Sequence, residues 1–284
     1  MPELPEVEAV RRQLQPHMEG VRITTVLTNR PDLRREFPPD FAARIEGYAV
    51  RTLERRGKYL LADLSSGEVL VMHLGMSGSF RVERGRGRRT QTRDAPDPAD
   101  RYDPAGESVR HDHVIFQMSS GVRITFNDPR RFGSMDLILR DDLLSRKALG
   151  SLGPEPLSTG FDGAVLARAC RGKKTSLKAA LLDQRVVAGL GNIYVCEALY
   201  RARLSPRRRA STIASRTGAP RAAAVRLATA VKDVLRDAIG HRAGKRFRVY
   251  DREGERCRTP RCAGRIRRIT QSGRSTFWCP VCQM

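Results

Sequence analysis

Four cysteines near the end of the chain, arranged as two close pairs, constrain the fold more than any other feature of the sequence. The pattern reads Cys257-x4-Cys262-x16-Cys279-x2-Cys282. Two close pairs separated by the length of a β-hairpin are typical of a tetrahedral zinc site. Because four protein thiolates would fill every coordination position, the sequence predicts one structural Zn²⁺ that stabilises a segment too small to fold alone.

The chain is strongly basic, with 53 Lys and Arg against 31 Asp and Glu and a formal net charge of +22. Residues 241–284 alone hold twelve basic and three acidic side chains. Such an imbalance indicates a polyanionic partner, and nucleic acid is the default, although ribosomal and membrane-surface proteins are also basic. No apolar run approaches the ~20 residues of a membrane-spanning helix, and the acidic start differs from a signal peptide. We therefore expect a soluble intracellular protein without a membrane partner.

The periodicity of apolar residues predicts an α+β, multidomain protein. A helix is expected from residue 5 to near 15, followed by short strands with turn residues between them. This pattern indicates an N-terminal β-sandwich with a flanking helix over residues 1–142. Helix breakers at 150–156 predict a hinge. A mostly helical domain is expected over residues 153–243, followed by the four-cysteine zinc finger over residues 244–284.

The strands expected in the N-terminal domain are rich in β-branched residues and are joined by short turns. They cover residues 22–28, 50–54, 59–64, 69–74, 113–118, 122–126 and 134–139. Ser-Ser-Gly at 65–67 and at 119–121 predicts two antiparallel hairpins. Residues 84–108 are rich in Arg, Asp, Pro and Gly, and we expect them to form a mobile surface excursion.

The chain begins Met-Pro-Glu-Leu-Pro-Glu-Val-Glu, and removal of Met1 would leave the secondary amine of Pro2 as the terminus. An α-amino group titrates near ~8, so part of it is neutral and nucleophilic at neutral pH. Attack of a secondary amine on a sugar carbon gives an iminium, a strong electron sink suited to elimination chemistry. Taken alone, however, the same residues are explained by a common chain start and a solvated Glu3.

The segment from Pro2 to Glu8 resembles the N-terminus of bacterial formamidopyrimidine-DNA glycosylases, which excise oxidised purines from DNA. The resemblance implies that Pro2 is the catalytic nucleophile and that Glu3 is the acid/base. It also implies that Lys58, which follows Gly57, contacts a DNA phosphate beside the nucleophile and assists catalysis. A cation at that position would favour the neutral form of the Pro2 amine.

Two glycine-containing turns of the N-terminal domain, residues 73–78 and 127–133, match the loops with which this family fills the gap left by an everted nucleotide. We refer to them as the wedge loops. The match implies that Met76, Arg130 and Phe132 are the wedge residues, with Arg130 also contacting DNA. Flexible Met, flat Phe and hydrogen-bonding Arg side chains suit such a gap. The alternative interpretation is a hairpin tip and a loop with a partly buried Phe132.

Residues 184–194 resemble the helix–two-turn–helix element of the same family, with a Gly-x-Gly turn at 189–191 between two helical runs. Backbone N–H groups at such a turn can bind phosphate. Asn192 is expected to cap the second helix, and Glu197 is expected to brace the turn. The DNA-phosphate contacts implied by the resemblance are His111, Lys178, Asn192 and Arg274.

The sequence departs from the family at two places. After its last long helix the family usually has a long flexible loop that closes over the everted base, whereas residues 240–246 lead almost directly into the finger. The first cysteine pair is separated by four residues here, whereas most of the family has two. The short loop leaves the selectivity among lesions open, together with the preference for the opposing base.

The resemblance covers nearly the whole chain and implies a bifunctional DNA glycosylase/AP lyase of base excision repair. Such an enzyme excises 8-oxoguanine and formamidopyrimidines and cleaves the strand by β,δ-elimination through a Schiff base on Pro2. We expect a monomer in the bacterial cytoplasm that associates with the nucleoid by binding double-stranded DNA with oxidised bases or abasic sites. One alternative is an oxidised-pyrimidine glycosylase, which Leu4 disfavours because that branch normally has glycine there. The other is a DNA-binding protein that has lost catalysis.

Overall fold

A computed structural model of the chain describes residues 2–84, 109–240 and 247–284. The expected surface excursion and the short loop before the finger lie almost entirely outside these ranges. Contacts between residues group the chain into two compact units, Met1–Gly150 and Ser151–Met284. The boundaries expected for the three domains remain predictions.

The first unit begins with helix α1, Leu4–Met18, which is longer at both ends than the sequence predicts. Glu3 is its N-cap residue and forms a capping box with Glu6. Pro5 lies in the first turn, where its missing N–H costs nothing. Apolar side chains at helical spacing face the core. They are Leu4, Val7, Val10, Leu14 and Met18.

The strands described in the first unit form two four-stranded antiparallel sheets. In chain order they are β1 Ile23–Thr28, β2 Val50–Arg56, β3 Tyr59–Leu64, β4 Glu68–His73, β5 Ser79–Arg84, β6 Asp112–Met118, β7 Val122–Asn127 and β8 Ser134–Leu139. One sheet has the order β1-β6-β7-β5 and the other has the order β2-β3-β4-β8. Buried side chains of both sheets and of α1 form one hydrophobic core. The expected β-sandwich with a flanking helix is therefore confirmed.

Strand β5 is not predicted from the sequence, because half of its six residues are charged. It pairs with β7, with Phe80 opposite Phe126. The two rings pack against each other, with centroids 5.0 Å apart. A contact between residues so distant in the chain, rather than a local pattern, therefore stabilises this edge strand.

The second unit follows the short helix α2, Lys147–Gly150, and contains helices and a C-terminal hairpin. Its elements are α3 Gly163–Cys170, α4 Leu177–Leu182, α5 Asn192–Arg201, α6 Ala222–Gly240, β9 Arg267–Gln271 and β10 Arg274–Trp278. Asp162 and Ser176 are the N-cap residues of α3 and α4, and each side-chain oxygen accepts a backbone N–H of the first turn. The expected helical region and the clustered cysteines after it are confirmed.

Helix α5 begins at Asn192, and Gly191 is its N-cap residue. The expectation that Asn192 caps this helix is therefore wrong. Its side-chain Nδ2 instead donates to the Ser275 carbonyl oxygen at 2.9 Å, a partner that becomes available only when the hairpin packs on the helix.

A helix that crosses a bilayer must be both long and apolar. Among the described residues, no helix meets both conditions.

Candidate functional site

The two residues expected to carry the chemistry lie at the N-terminal end of α1. Pro2 is buried, and Glu3 is 2% exposed. The Glu3 backbone N–H donates to Glu6 Oε2 at 2.8 Å, so the capping box fixes the residue that follows Pro2. Met1 lies outside the described residues. Glu6 lies in the first turn of α1, where the positive end of the helix dipole favours a carboxylate.

Lys58 lies in the two-residue turn between β2 and β3, after Gly57, which has a φ of 59°. Lys58 is half-buried, and its charge acts on His73, the last residue of β4. Burial, with a contribution from the charges of Lys58 and Arg34, lowers the pKa of His73 to about 4. Tyr59, the residue after Lys58, pairs with His73, so Lys58 lies near the end of β4, from which the first wedge loop starts.

His73 holds the first wedge loop through a neutral imidazole. Its Nδ1 accepts the Gly75 backbone N–H at 3.0 Å, which a ring protonated on both nitrogens cannot do. The ring also packs on Tyr59, with centroids 4.9 Å apart. The geometry of this loop therefore depends on an uncharged His73.

Mild acidification is expected to destabilise the first unit through His73. Its folded pKa is about 4 and its unfolded value is near ~6.5. The stabilisation is therefore complete above about pH 6.5 and falls by roughly 3 kcal/mol as the pH approaches 4. Thermal unfolding measured across this range tests the prediction. His73→Asn, whose side-chain oxygen can accept the same N–H, should flatten the dependence, and an equally steep dependence in that variant would contradict the assignment.

A buried carboxylate, Asp128, joins the two wedge loops. It is fully buried. Its Oδ1 accepts the Ser77 hydroxyl at 2.5 Å, and its Oδ2 accepts the Gly133 N–H at 2.7 Å. Ser77 Oγ in turn accepts the Arg130 N–H at 3.2 Å. Asp128 thus ties the two loops to each other and supports the backbone at Arg130.

The three expected wedge residues project from this braced pair of loops. Met76 and Phe132 are 38% and 41% exposed. The Arg130 guanidinium carbon lies 4.8 Å from the centroid of the Phe132 ring, a cation–π contact. Gly75 has a φ of 63°, and a Cβ there would lie 2.2 Å from the Phe132 carbonyl carbon. The loops therefore meet at a point where only glycine fits, with the wedge residues on either side of it.

His111, an expected phosphate contact, ends the short 3-10 helix Val109–His111 beside the second wedge loop. It is half-buried, and its carbonyl oxygen accepts the Asp128 N–H at 3.0 Å. Nε2 of His113 lies 2.9 Å from the Asp128 carbonyl oxygen. The main chain of His111 therefore supports the second wedge loop.

In the second unit, the three expected phosphate contacts converge on strand β10. Lys178 is 1% exposed, and its Nζ donates to Thr276 Oγ1 at 2.6 Å and to the Ser275 carbonyl oxygen at 3.2 Å. Asn192 Nδ2 donates to the same carbonyl oxygen at 2.9 Å. Burial lowers the pKa of Lys178, and the nearby charge of Arg274 also lowers it. Lys178, Asn192 and Arg274 are therefore brought together.

The turn before α5 is braced by Gln184 and not by Glu197. Gln184 Oε1 accepts the Gly189 N–H at 2.8 Å, and its Nε2 donates to the Leu190 carbonyl oxygen at 2.8 Å. Glu197 instead accepts the backbone N–H groups of residues 248–250 at 2.9 to 3.0 Å. The expectation for Glu197 is wrong because its side of α5 faces the start of the finger.

The four cysteines of the finger converge in space. Their sulfur atoms all lie within 4.8 Å of one another. Cys257 and Cys282 are 3.7 Å apart, and Cys262 and Cys279 are 3.6 Å apart. Four sulfurs at a Zn–S distance of ~2.3 Å in a tetrahedron would be about 3.8 Å apart. The cluster therefore fits one tetrahedral metal ion.

Neighbouring groups donate to these sulfurs. The N–H groups of Thr259 and Gly264 donate to Cys257 Sγ and Cys262 Sγ, both at 3.4 Å. The Tyr200 hydroxyl, on α5, lies 3.2 Å from Cys257 Sγ. Groups of this kind stabilise and orient thiolate ligands. Tyr200 also ties the cluster to α5.

Two family models match the chain. The model of the formamidopyrimidine-DNA glycosylase N-terminal domain matches residues 1–135, and that of the formamidopyrimidine-DNA glycosylase H2TH domain matches residues 152–248. The chain belongs to the formamidopyrimidine-DNA glycosylase family. Members of this family are DNA glycosylases with AP lyase activity that act in base excision repair, so the expected enzyme class is confirmed.

Relatives and solved structures of this glycosylase family extend over the whole chain. The formamidopyrimidine-DNA glycosylases of Rhodopseudomonas palustris (strain HaA2) and Nitrobacter winogradskyi are each 60% identical over 299 residues, covering 100% of both chains. The Lactococcus lactis formamidopyrimidine-DNA glycosylase, bound non-covalently to abasic-site DNA, has a TM-score of 0.80 and 29% identity, with 99% of each chain covered. The MutM (Fpg) protein of Thermus thermophilus has a TM-score of 0.78 and 35% identity, covering 99% of this chain and 98% of that one.

The expected site residues can be named from the sequence, but the residues that support them, Asp128 and Thr276, are not predicted from it. Asp128 carries a usable signal, because an Asp-Pro pair in a loop between two predicted strands is typical of a turn-forming carboxylate. Thr276 carries none. Its partner Lys178 is 98 residues away in the chain, and nothing local in either segment indicates the contact.

Proposed function

We propose that this glycosylase excises oxidised purines, including 8-oxoguanine and formamidopyrimidines, from double-stranded DNA and cleaves the strand at the resulting abasic site. The observation that carries the proposal is the pair of wedge loops, in which exposed Met76 and Phe132 are held by buried Asp128. Apolar tips on a rigid base suit an enzyme that must offset the unstacking of a nucleotide, which costs a few kcal/mol. A related MutM structure contains carbocyclic 8-oxo-G DNA, which supports the choice of purines.

In the proposed reaction, removal of Met1 exposes the Pro2 amine, which attacks the anomeric carbon of the deoxyribose. Glu3 assists the opening of the sugar ring by giving a proton to the ring oxygen, and the damaged base leaves. The resulting iminium has no N–H proton to lose, so it withdraws electrons and acidifies the neighbouring C2′ hydrogen. β-Elimination and then δ-elimination break the two C–O bonds to the flanking phosphates.

The phosphate contacts are proposed for Lys58 and His111 in the first unit and for Lys178, Asn192 and Arg274 in the second. An ammonium group carries three N–H donors, and strand β10 takes two of those of Lys178. The third can bind a phosphate, and the guanidinium of Arg274 can bind one in bidentate fashion. Binding through such contacts is expected to weaken steeply with salt.

We propose Zn²⁺ for the four-cysteine cluster, because four thiolates in a tetrahedral arrangement favour zinc. When bound, the ion supplies folding energy and no reaction chemistry. The finger, residues 244–284, would act as a third domain after those over 1–142 and 153–243. The protein would work as a monomer in the bacterial cytoplasm and associate with the nucleoid through its DNA substrate.

Asp128→Asn is expected to loosen both wedge loops, because an amide offers one accepting oxygen where a carboxylate offers two. Ser77 or Gly133 then loses its acceptor, which costs about 1–3 kcal/mol. We expect base excision in single-turnover assays to slow by roughly tenfold. Cleavage of a preformed abasic site should change less, because such a site needs less unstacking.

Ser77→Ala tests the same link from the other loop, because it removes the hydroxyl that donates to Asp128 Oδ1 and accepts the Arg130 N–H. It should slow base excision to a similar extent, with the same smaller effect on the abasic duplex. An equal loss of rate on the lesion duplex and on the abasic duplex would contradict a role of Asp128 in eversion.

A panel of duplexes, each with one 8-oxoguanine, formamidopyrimidine, thymine glycol or abasic site, tests the proposed substrate class. We expect the two purine lesions to be excised faster than thymine glycol. The reverse order would favour the oxidised-pyrimidine glycosylase, which the short loop at 240–246 allows. No cleavage of any duplex, together with an intact mass that retains Met1, would favour a DNA-binding protein without catalysis.

A further inference from the structure

Glu8 is a buried carboxylate in the second turn of α1 that the proposed reaction does not use. It is 9% exposed, and it binds three guanidinium groups. Glu8 Oε1 accepts from Arg11 Nη2 and Arg12 Nε, both at 2.9 Å, and Glu8 Oε2 accepts from Arg11 Nε at 3.1 Å and Arg55 Nε at 3.2 Å. Burial raises the pKa of Glu8, but the hydrogen bonds and charges of these arginines outweigh it, so its pKa lies below the usual value.

Two of the three arginines continue from Glu8 to the main chain of β2 and its turn. Arg11 Nη1 donates to the Leu53 carbonyl oxygen at 3.3 Å. Arg55 Nη1 donates to the Gly57 carbonyl oxygen at 3.0 Å. The side chain of Arg55 is only 11% exposed. A continuous path of short polar contacts therefore runs from α1 through Glu8 and Arg55 to the turn that carries Lys58.

This path matters because the groups at its two ends must keep a fixed separation. Helix α1 begins two residues after Pro2, and the turn presents Lys58. The effect of a cation on a nearby amine falls with distance, and a displacement of ~1 Å at a reacting centre can cost about 10²-fold in rate. The hydrogen bond from the buried Arg55 guanidinium to the Gly57 carbonyl oxygen restricts the movement of this turn relative to α1.

We infer that Glu8 is a positioning residue, which acts through Arg55 to hold the Lys58 turn in place against the helix that carries Pro2 and Glu3. The inference rests on the proposed function, because it assigns Glu8 a role in the reaction of Pro2. Glu8 touches no substrate in this role, and its effect on the rate passes entirely through Lys58.

A double-mutant cycle with Glu8→Gln and Lys58→Ala tests this role. Single-turnover excision of 8-oxoguanine and borohydride trapping are measured from acidic to alkaline pH. Glu8→Gln is expected to slow both by roughly tenfold. It should also move the acid limb of the pH profile upward, because the Pro2 amine loses the influence of a nearby cation. In the Lys58→Ala background, the Glu8 substitution should have no further effect.

Two further variants separate positioning from folding. Arg12 is another partner of the Glu8 carboxylate, and the side chain of Arg12 is 57% exposed. The Arg12→Gln variant should form the trapped adduct at the wild-type rate. Arg55→Lys keeps the charge beside Glu8, but it loses the fixed geometry of the guanidinium, whose separate Nε and Nη1 atoms join Glu8 to Gly57. It should reproduce the slower rate and the shifted profile, and it tests the role even if Glu8→Gln fails to fold.

Failure of the inference is distinguishable from failure of the proposed function. If Glu8→Gln and Lys58→Ala give additive losses with an unchanged pH profile, Glu8 only stabilises the fold and the inference is overturned. The inference is also overturned if the Glu8→Gln variant forms the trapped adduct at the wild-type rate. If the wild-type protein itself forms no trapped adduct on any lesion duplex, the proposed function fails.

Discussion

Replacement of Pro2 by glycine is expected to remove most of the covalent adduct that borohydride traps between the enzyme and lesion-containing DNA. Glycine leaves a primary amine on a flexible residue, whereas the pyrrolidine ring of Pro2 fixes the amine at the start of α1. The iminium formed by a primary amine can also lose its N–H proton and become a neutral imine, which is a weaker electron sink. We expect base excision to fall by at least about 10²-fold, measured as single-turnover rates and as adduct resolved on denaturing gels.

Pro5→Ala is the matched control, because Pro5 lies in the first turn of α1 and not at the terminus. Its adduct should form at nearly the wild-type rate. Intact mass must show that Met1 is removed from each variant before the rates are compared. Trapping by Pro2→Gly at the wild-type rate would exclude Pro2 as the nucleophile.

Removal of the metal from the four-cysteine cluster is expected to unfold the finger and to abolish tight DNA binding. Structural zinc contributes roughly 10–16 kcal/mol of apparent folding free energy in small zinc modules. Strand β10 carries Arg274 at one end and leads into Cys279 at the other. Its middle accepts the hydrogen bonds of Lys178 and Asn192. Loss of the metal should therefore disperse all three proposed phosphate contacts of the second unit.

Metal analysis of the purified protein should find one zinc per chain, and a chelator titration followed by circular dichroism and duplex binding measures the effect. Cys279→Ala should lose the metal. Cys170→Ala is the matched control, because Cys170 is a buried cysteine of α3 outside the cluster, and it should keep the metal. A metal-free protein with the same unfolding transition and the same duplex affinity as the wild type would contradict the structural role.

Most of the architecture follows from local signals. Two Ser-Ser-Gly turns between β-branched runs predict hairpins, and β3 has the bounds that its pattern predicts, Tyr59–Leu64. The helix α1 runs past its predicted end near residue 15 because Met18 is buried in the core, and this burial outweighs the presence of Pro16 inside the helix. Strand β5 depends on the packing of its Phe80 against β7, which no short window of sequence contains.

In the candidate site, too, some residues can be predicted from local sequence and others cannot. The finger cysteines can be predicted because their type and spacing suit one chemistry, whereas the role expected for Pro2 comes only from the resemblance of the chain's start to the family. The residues that hold the site in place cannot be predicted, because their role depends on partners distant in the chain. Glu197 is the clearest case, since its carboxylate could cap a nearby turn but accepts three backbone N–H groups from the finger instead.

The contact between Gly75 and the Phe132 main chain restricts how this enzyme can be varied. Any side chain at position 75 would displace the opposite loop, since its first carbon would lie 2.2 Å from that backbone. Positions 76, 130 and 132, in contrast, extend outward from a base that does not depend on their identity. These three tips can therefore be exchanged without rebuilding the scaffold below, and they are the positions at which the proposed wedge role can be varied.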